Sequence, residues 1–172
     1  MMRFALAAVA LLAGCSPSAK APEATAVAPA VSPFRPHTAT VFPEDRGLEL
    51  LNQCSRGVPG PVERTWTPVE ADILQLESML VDYLRAQRPQ TYPASGATPD
   101  LVRNYAGYVI KSRKVIYLDA AIAEPGLFGI APSDVLPDRP FNGVCDGGAR
   151  FFGVEYDVEA KTFSNLLENG PY

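Results

Sequence analysis

Glu155 and Asp157 stand two residues apart in the run Phe152-Gly153-Val154-Glu155-Tyr156-Asp157, so on an extended strand both carboxylates project from one face. Such a pair could divide acid and base roles, as in glycoside hydrolysis, where two carboxyl groups about 5 Å apart or somewhat more flank the scissile bond. One of them would have to be desolvated to keep its proton, and Gly153 beside them supplies no apolar wall. The same spacing describes an ordinary solvated strand face. Cys145-Asp146-Gly147-Gly148 offers a second chemistry, because glycine permits the conformations that turn successive N–H groups toward an anion. It equally permits a turn leading into a strand. As a calcium site this stretch lacks the Asp-x-Asp-x-Asp-Gly spacing, although Asp119 could add an oxygen. His37 is the single histidine and lies in a low-complexity stretch, which removes Ser-His-Asp and Cys-His catalysis and most zinc sites from the folded part. No catalytic residue, metal or cofactor is assigned.

A different chemistry is written at the N-terminus. Arg3 gives a positive start, Phe4 to Leu12 an apolar run too short to span a bilayer, and small residues precede Cys15. Leu12-Ala13-Gly14-Cys15 resembles the bacterial lipoprotein signal, which implies that residues 1–14 are removed and that Cys15 is acylated as the first mature residue. Ser16 rather than Asp after the cysteine implies the outer membrane. Each buried CH₂ contributes about 0.8 kcal/mol, so two or more acyl chains make a durable anchor. Losing Arg3 with the leader leaves 14 basic against 19 acidic residues, a formal charge of −5. That balance argues against nucleic acid and against attraction to anionic headgroups. With Cys15 acylated, Cys54 and Cys145 remain as an even pair in an oxidising compartment, and a disulfide is expected. It would close a loop of about 90 residues and contribute roughly 4 kcal/mol in the chain-entropy account.

The elements that must position these groups follow from composition and period. Residues 15–40 are Ala, Pro, Ser, Thr and Val with almost no charge, a composition that cannot bury enough to fold. They read as a tether spanning roughly 30 Å as a coil and up to roughly 80 Å as polyproline II. Residues 41–172 fit one small domain. A short helix is expected over Glu44 to Cys54. Thr67-Pro68-Val69-Glu70 has the form of a capping box, and Val69, Ile73, Leu76, Leu80 and Tyr83 make one apolar face of a helix running to about Gln87. Tyr105 to Ile110 and Val115 to Ile122 read as strands, with Lys111, Ser112, Arg113 and Lys114 as the hairpin tip. Two more strands are expected, one over Phe152 to Val158 and one over Thr162 to Leu167. The predicted fold is α+β: one long amphipathic helix on an antiparallel sheet of about four strands, cystatin-like in outline, behind the tether. The Gln-x-Val-x-Gly inhibitor loop of cystatins is missing.

Residues 123–144 hold four prolines and three glycines without periodicity. Long irregular loops are uncommon unless functional or disordered, and Leu127, Phe128, Ile130 and Phe141 give this one apolar side chains to bind with or fold back. Lys111, Arg113 and Lys114 form a basic spot able to steer an acidic partner. Gln53-Cys54-Ser55-Arg56, Trp66-Thr67-Pro68, Tyr105-Ala106-Gly107, Cys145-Asp146-Gly147-Gly148, the Phe152–Asp157 run and Asn169-Gly170 resemble a family of small bacterial exported proteins. That resemblance implies a structural role for the cysteine pair and no mechanism. Small lipoproteins of similar build act as immunity proteins against wall-degrading toxins. The expected function is a non-enzymatic, periplasm-facing binding module, an inhibitor or immunity protein whose partner is an envelope or toxin protein. A structural envelope lipoprotein and a carboxylate-dependent hydrolase are the alternatives.

Overall fold

The computed structural model describes residues 39–95, 99–123 and 144–171, all within the compact unit Val31–Tyr172. Its centre is the hairpin of β3 (Leu101–Ile110) and β4 (Arg113–Ile122), paired from Leu101↔Ile122 to Ile110↔Arg113. β5 (Phe151–Asp157) adds to β4 and β6 (Thr162–Glu168) to β5, all antiparallel. The expected architecture therefore holds: one helix, α1 (Glu70–Gln87), packs on a sheet in an α+β arrangement. The sheet is larger than expected and mixed. β1 (Ala39–Val41) pairs parallel with β3, and β2 (Arg64–Trp66) pairs antiparallel with the other end of β3, giving six strands. Three-residue strands are too short to leave a period in a sequence, which is why four strands were legible and these two were not.

All ten residues of β3 are buried. Both of its faces are covered, so its sequence reads as a nearly continuous run rather than an alternation. On one face α1 lays Ile73, Leu76, Leu80 and Leu84 against Tyr105, Ile116, Leu118, Val154 and their neighbours. On the other, the chain between β1 and β2 places Phe42, Leu50, Leu51 and Val62 over Ala106, Tyr108, Ile110, Val115 and Tyr117. That segment contains one 3₁₀ turn, Gly47–Leu51, where a short helix over Glu44 to Cys54 was expected.

Two boundaries differ for local reasons. α1 begins at Glu70, with Val69 as N-cap and no side-chain capping bond, so the capping box is not formed. The Thr67 hydroxyl instead accepts a hydrogen bond from the Glu44 N–H at 2.9 Å, tying the start of the far-face segment to the end of β2. The β3–β4 turn uses only Lys111 and Ser112, at φ 51° and 62°, the paired left-handed conformation of a tight two-residue hairpin. Arg113 and Lys114, expected at the tip, are the first residues of β4.

Candidate functional site

The face of the sheet away from α1 carries a buried polar joint built from three distant parts of the chain. Arg56 enters from the segment after the 3₁₀ turn. Its Nε donates to the Tyr117 hydroxyl at 3.2 Å, Nη1 donates to Asn169 Oδ1 at 2.6 Å, and Nη2 pairs with Asp119. The Arg56 and Asp119 side chains are 1% and 0% exposed. Asn169 passes the connection on, its Nδ2 donating to the carbonyls of Val144 at 2.6 Å and Asp146 at 3.3 Å. The Cys54–Cys145 disulfide joins the same segments, with Cα atoms 5.2 Å apart at a sequence separation of 91. The expected pairing is the one found.

Local sequence explains how the joint fits. A Cβ on Gly153 would lie 2.2 Å from the Tyr117 hydroxyl, so glycine at that position of β5 is what lets Tyr117 reach Arg56. Burial pushes the Tyr117 phenol above its ordinary pKa, while the Arg56 guanidinium pulls it back down. Tyr108, stacked at a tilt 6.2 Å from Tyr117, donates its hydroxyl to the Gly47 carbonyl at 2.7 Å and is raised further by burial and by Tyr117 and Asp119. A second buried ion pair lies under α1, where Glu77 binds Arg103 and the Tyr105 hydroxyl. Burial first, and the Glu77 charge next, hold the Tyr105 phenol well above its ordinary range. In both clusters the charges are spent on one another in dry surroundings, an arrangement that fixes geometry.

The carboxylates first considered for catalysis are separately engaged. Asp157 pairs with Arg113 at 2.8 Å and also accepts the N–H groups of Glu159 and Ala160, capping the β5–β6 turn. Glu155 accepts from Asn165 Nδ2 at 2.9 Å, from a bulge where Asn165 takes φ 51°. The two share the far face of β5, and Asp157 is committed to the turn. The glycine pair is a turn as well: Gly147 at φ 101° and Gly148 at φ 52° lead into a 3₁₀ turn, Gly148–Arg150, and the Gly148 N–H donates to the Gly170 carbonyl. That N–H is not turned toward an anion. Asp119 is held by Arg56, and among the described residues no cluster of three His, Cys, Asp or Glu could hold a metal ion.

The residues expected to bind a partner are divided. Lys111 is exposed at the hairpin turn, Arg113 is bound to Asp157, and the Lys114 ammonium sits 4.9 Å from the centroid of the Trp66 ring. Leu127, Phe128 and Ile130 lie outside the described residues, as do Cys15 and His37. The stems of their segment are described. The Ala123 N–H donates to the Asp100 carbonyl at 2.8 Å, and Ala123 and Val144 pack on one cluster of Val102, Ala121 and Phe151. These stems and the Lys111 turn stand at opposite ends of ten-residue β4, about 30 Å apart, so the structure does not gather them into one patch. A shallow groove of about 440 Å³ runs between α1 and the β5–β6 turn, floored by Met79, Tyr83 and Phe163 and edged by Asp82 and Lys161. The Tyr83 and Phe163 rings stack 4.7 Å apart and close its base.

Arg56, Tyr117, Asp119, Asn169 and the Glu77–Arg103–Tyr105 cluster were missed as a constellation. Their signal was polar residues inside apolar runs: Asp119 within Val115–Ile122, Arg103-Asn104 ahead of Tyr105, and Glu77 between Leu76 and Leu80. Comparison of the chain with known families, curated proteins and solved structures finds no match.

Proposed function

We propose that the chain is a non-enzymatic protein-binding module, lipid-anchored through Cys15 at the outer membrane and facing the periplasm, that inhibits or confers immunity to an envelope hydrolase. The observation that carries this reading is the way the 124–143 segment is mounted. Both of its stems rest on one apolar cluster, and the downstream stem is further fixed by the disulfide and by Asn169. Stems pinned in this way suit the mounting of a recognition loop, in which the scaffold supplies position and the loop supplies contacts. The lipoprotein-type leader and the Ala/Pro tether support display at a membrane surface. The occupied Asp157 supports binding rather than hydrolysis, since its carboxylate oxygens are already engaged by Arg113 and by the turn N–H groups of Glu159 and Ala160.

The test is inhibition. Purified protein added to peptidoglycan with envelope extract should slow hydrolysis, and Phe128→Ala should weaken that effect by about 1–3 kcal/mol in apparent affinity, near 5- to 150-fold, with an unchanged melting temperature. Hydrolysis produced by the protein itself and lost in Glu155→Gln would overturn the reading in favour of an enzyme. A Phe128→Ala protein that inhibits normally but melts early would move Phe128 into the core.

A further inference from the structure

Cys54 and Cys145 are both solvent-exposed, yet two residues beyond Cys54 the Arg56 guanidinium is buried. The same segments are therefore joined twice. On the outside the disulfide links residue 54 to residue 145. Inside, Arg56 holds Asn169, whose amide holds the carbonyls of Val144 and Asp146 on either side of Cys145. A parallel path runs through Gly170, whose N–H donates to Ser55 Oγ and whose carbonyl accepts the Gly148 N–H. One connection is covalent and within reach of a thiolate in solution. The other contains no sulfur, and at its Arg56 end it is buried.

We infer that the Cys54–Cys145 bond is a reversible redox latch, opened in the folded protein by a dithiol reductant, while the Arg56–Asn169 joint preserves the fold and the 144–148 segment gains freedom. In the step itself a reductant thiolate attacks one cysteine sulfur, the S–S bond breaks, and its electron pair leaves on the other sulfur, which takes a proton. The reductant's second thiol then displaces the first cysteine. The protein ends as two thiols and the dithiol as its cyclic disulfide. A disulfide oxidant of the same class runs the exchange backwards. Segment 144–148 is the downstream stem of the proposed recognition loop, so the consequence for binding rests on that reading, whereas the latch does not. Opening is local because the non-covalent hold on the carbonyls beside Cys145 is one asparagine amide, and hydrogen bonds of this kind open individually without global unfolding.

The experiment titrates the native oxidised protein with dithiothreitol and its disulfide in the absence of denaturant, counting thiols by alkylation and mass and following amide exchange. Two thiols should appear and disappear reversibly, with unchanged far-UV circular dichroism and unchanged protection across β3 and β4. Exchange in segment 144–148 should quicken at least tenfold. A Cys54→Ser/Cys145→Ser variant should reproduce the reduced pattern. Resistance to reduction under native conditions, loss of the whole fold on reduction, or unaltered exchange in 144–148 would each overturn the latch. None of these readouts depends on a partner, so failure of the binding reading and failure of the latch are separable.

Discussion

The two faces of the sheet are covered by different means. α1 satisfies its own backbone hydrogen bonds, so it covers the helix-side face with a stripe of leucine and isoleucine and one buried ion pair, Glu77 on Arg103. The chain between β1 and β2 has no such ladder beyond one 3₁₀ turn, and it presents fewer apolar side chains. It is held instead by discrete pins: the Tyr108 hydroxyl on the Gly47 carbonyl, Thr67 on Glu44, the Arg56 joint and the disulfide. Regular structure spreads its attachment over many weak contacts. Irregular structure concentrates it in a few strong ones, and those few are where single substitutions should matter most.

The largest effect is expected at Asp119. Asp119→Ala leaves Arg56 buried without its counter-charge and should cost about 3–5 kcal/mol in urea unfolding. Amide exchange should show the 46–56 segment released while α1 keeps its protection. Equal loosening of α1 would break the distinction between the faces. A smaller effect is expected at Gly153, where an added Cβ meets the Tyr117 hydroxyl. Gly153→Ala should cost about 1–3 kcal/mol. Tyr117→Phe removes the nearest obstructing atom but leaves ring carbons 2.7 and 2.8 Å from the added Cβ, so the double variant should recover part of the loss, a coupling readable in a double-mutant cycle.

The smallest effect belongs to the helix side. Tyr92 is buried in the α1 core with its hydroxyl unpartnered among the described residues, and burial, with the Glu168 charge second, pushes its pKa up to about 12. A phenol raised in the folded state gives stability that is complete below its unfolded value near 10 and is lost as pH rises from there to about 12. Tyr92→Phe removes an unsatisfied hydroxyl at nearly constant volume. It should shift stability by less than about 1 kcal/mol at neutral pH and make alkaline unfolding shallower. A large loss at neutral pH would reveal a partner for that hydroxyl and a second pin on the helix side, beside Glu77–Arg103.

What the sequence disclosed follows the same division. The helix was legible because its apolar residues repeat at three and four, and the β3–β4 hairpin because two β-rich runs flank a polar break. The disulfide was legible because Cys54 and Cys145 are the two cysteines left once Cys15 is set aside with the N-terminal stretch. The first four residues of β3 were not, because Arg103 and Asn104 look like loop until Glu77, 26 residues earlier, is seen to bind Arg103 under the helix. The capping box misled because the Thr67 hydroxyl serves Glu44, a competitor that no local window contains. Arg56, Asp119 and Asn169 carry no mutual spacing that a pattern could report, since their bonds span 63 and 113 residues.

Those spans also set an order of events for folding. The Glu77–Arg103 pair and the β3–β4 hairpin close over short stretches, so α1 can dock on that hairpin before β5 completes the helix-side core. Arg56 waits for Asn169, 113 residues later, and the loop that the disulfide closes is nearly as long. Both closures carry the larger entropy cost of long loops, so the far face is the later half to be pinned. The arrival of Asn169 completes the hold on Arg56 and on the carbonyls beside Cys145 at once, which makes a single side chain the timer of far-face closure.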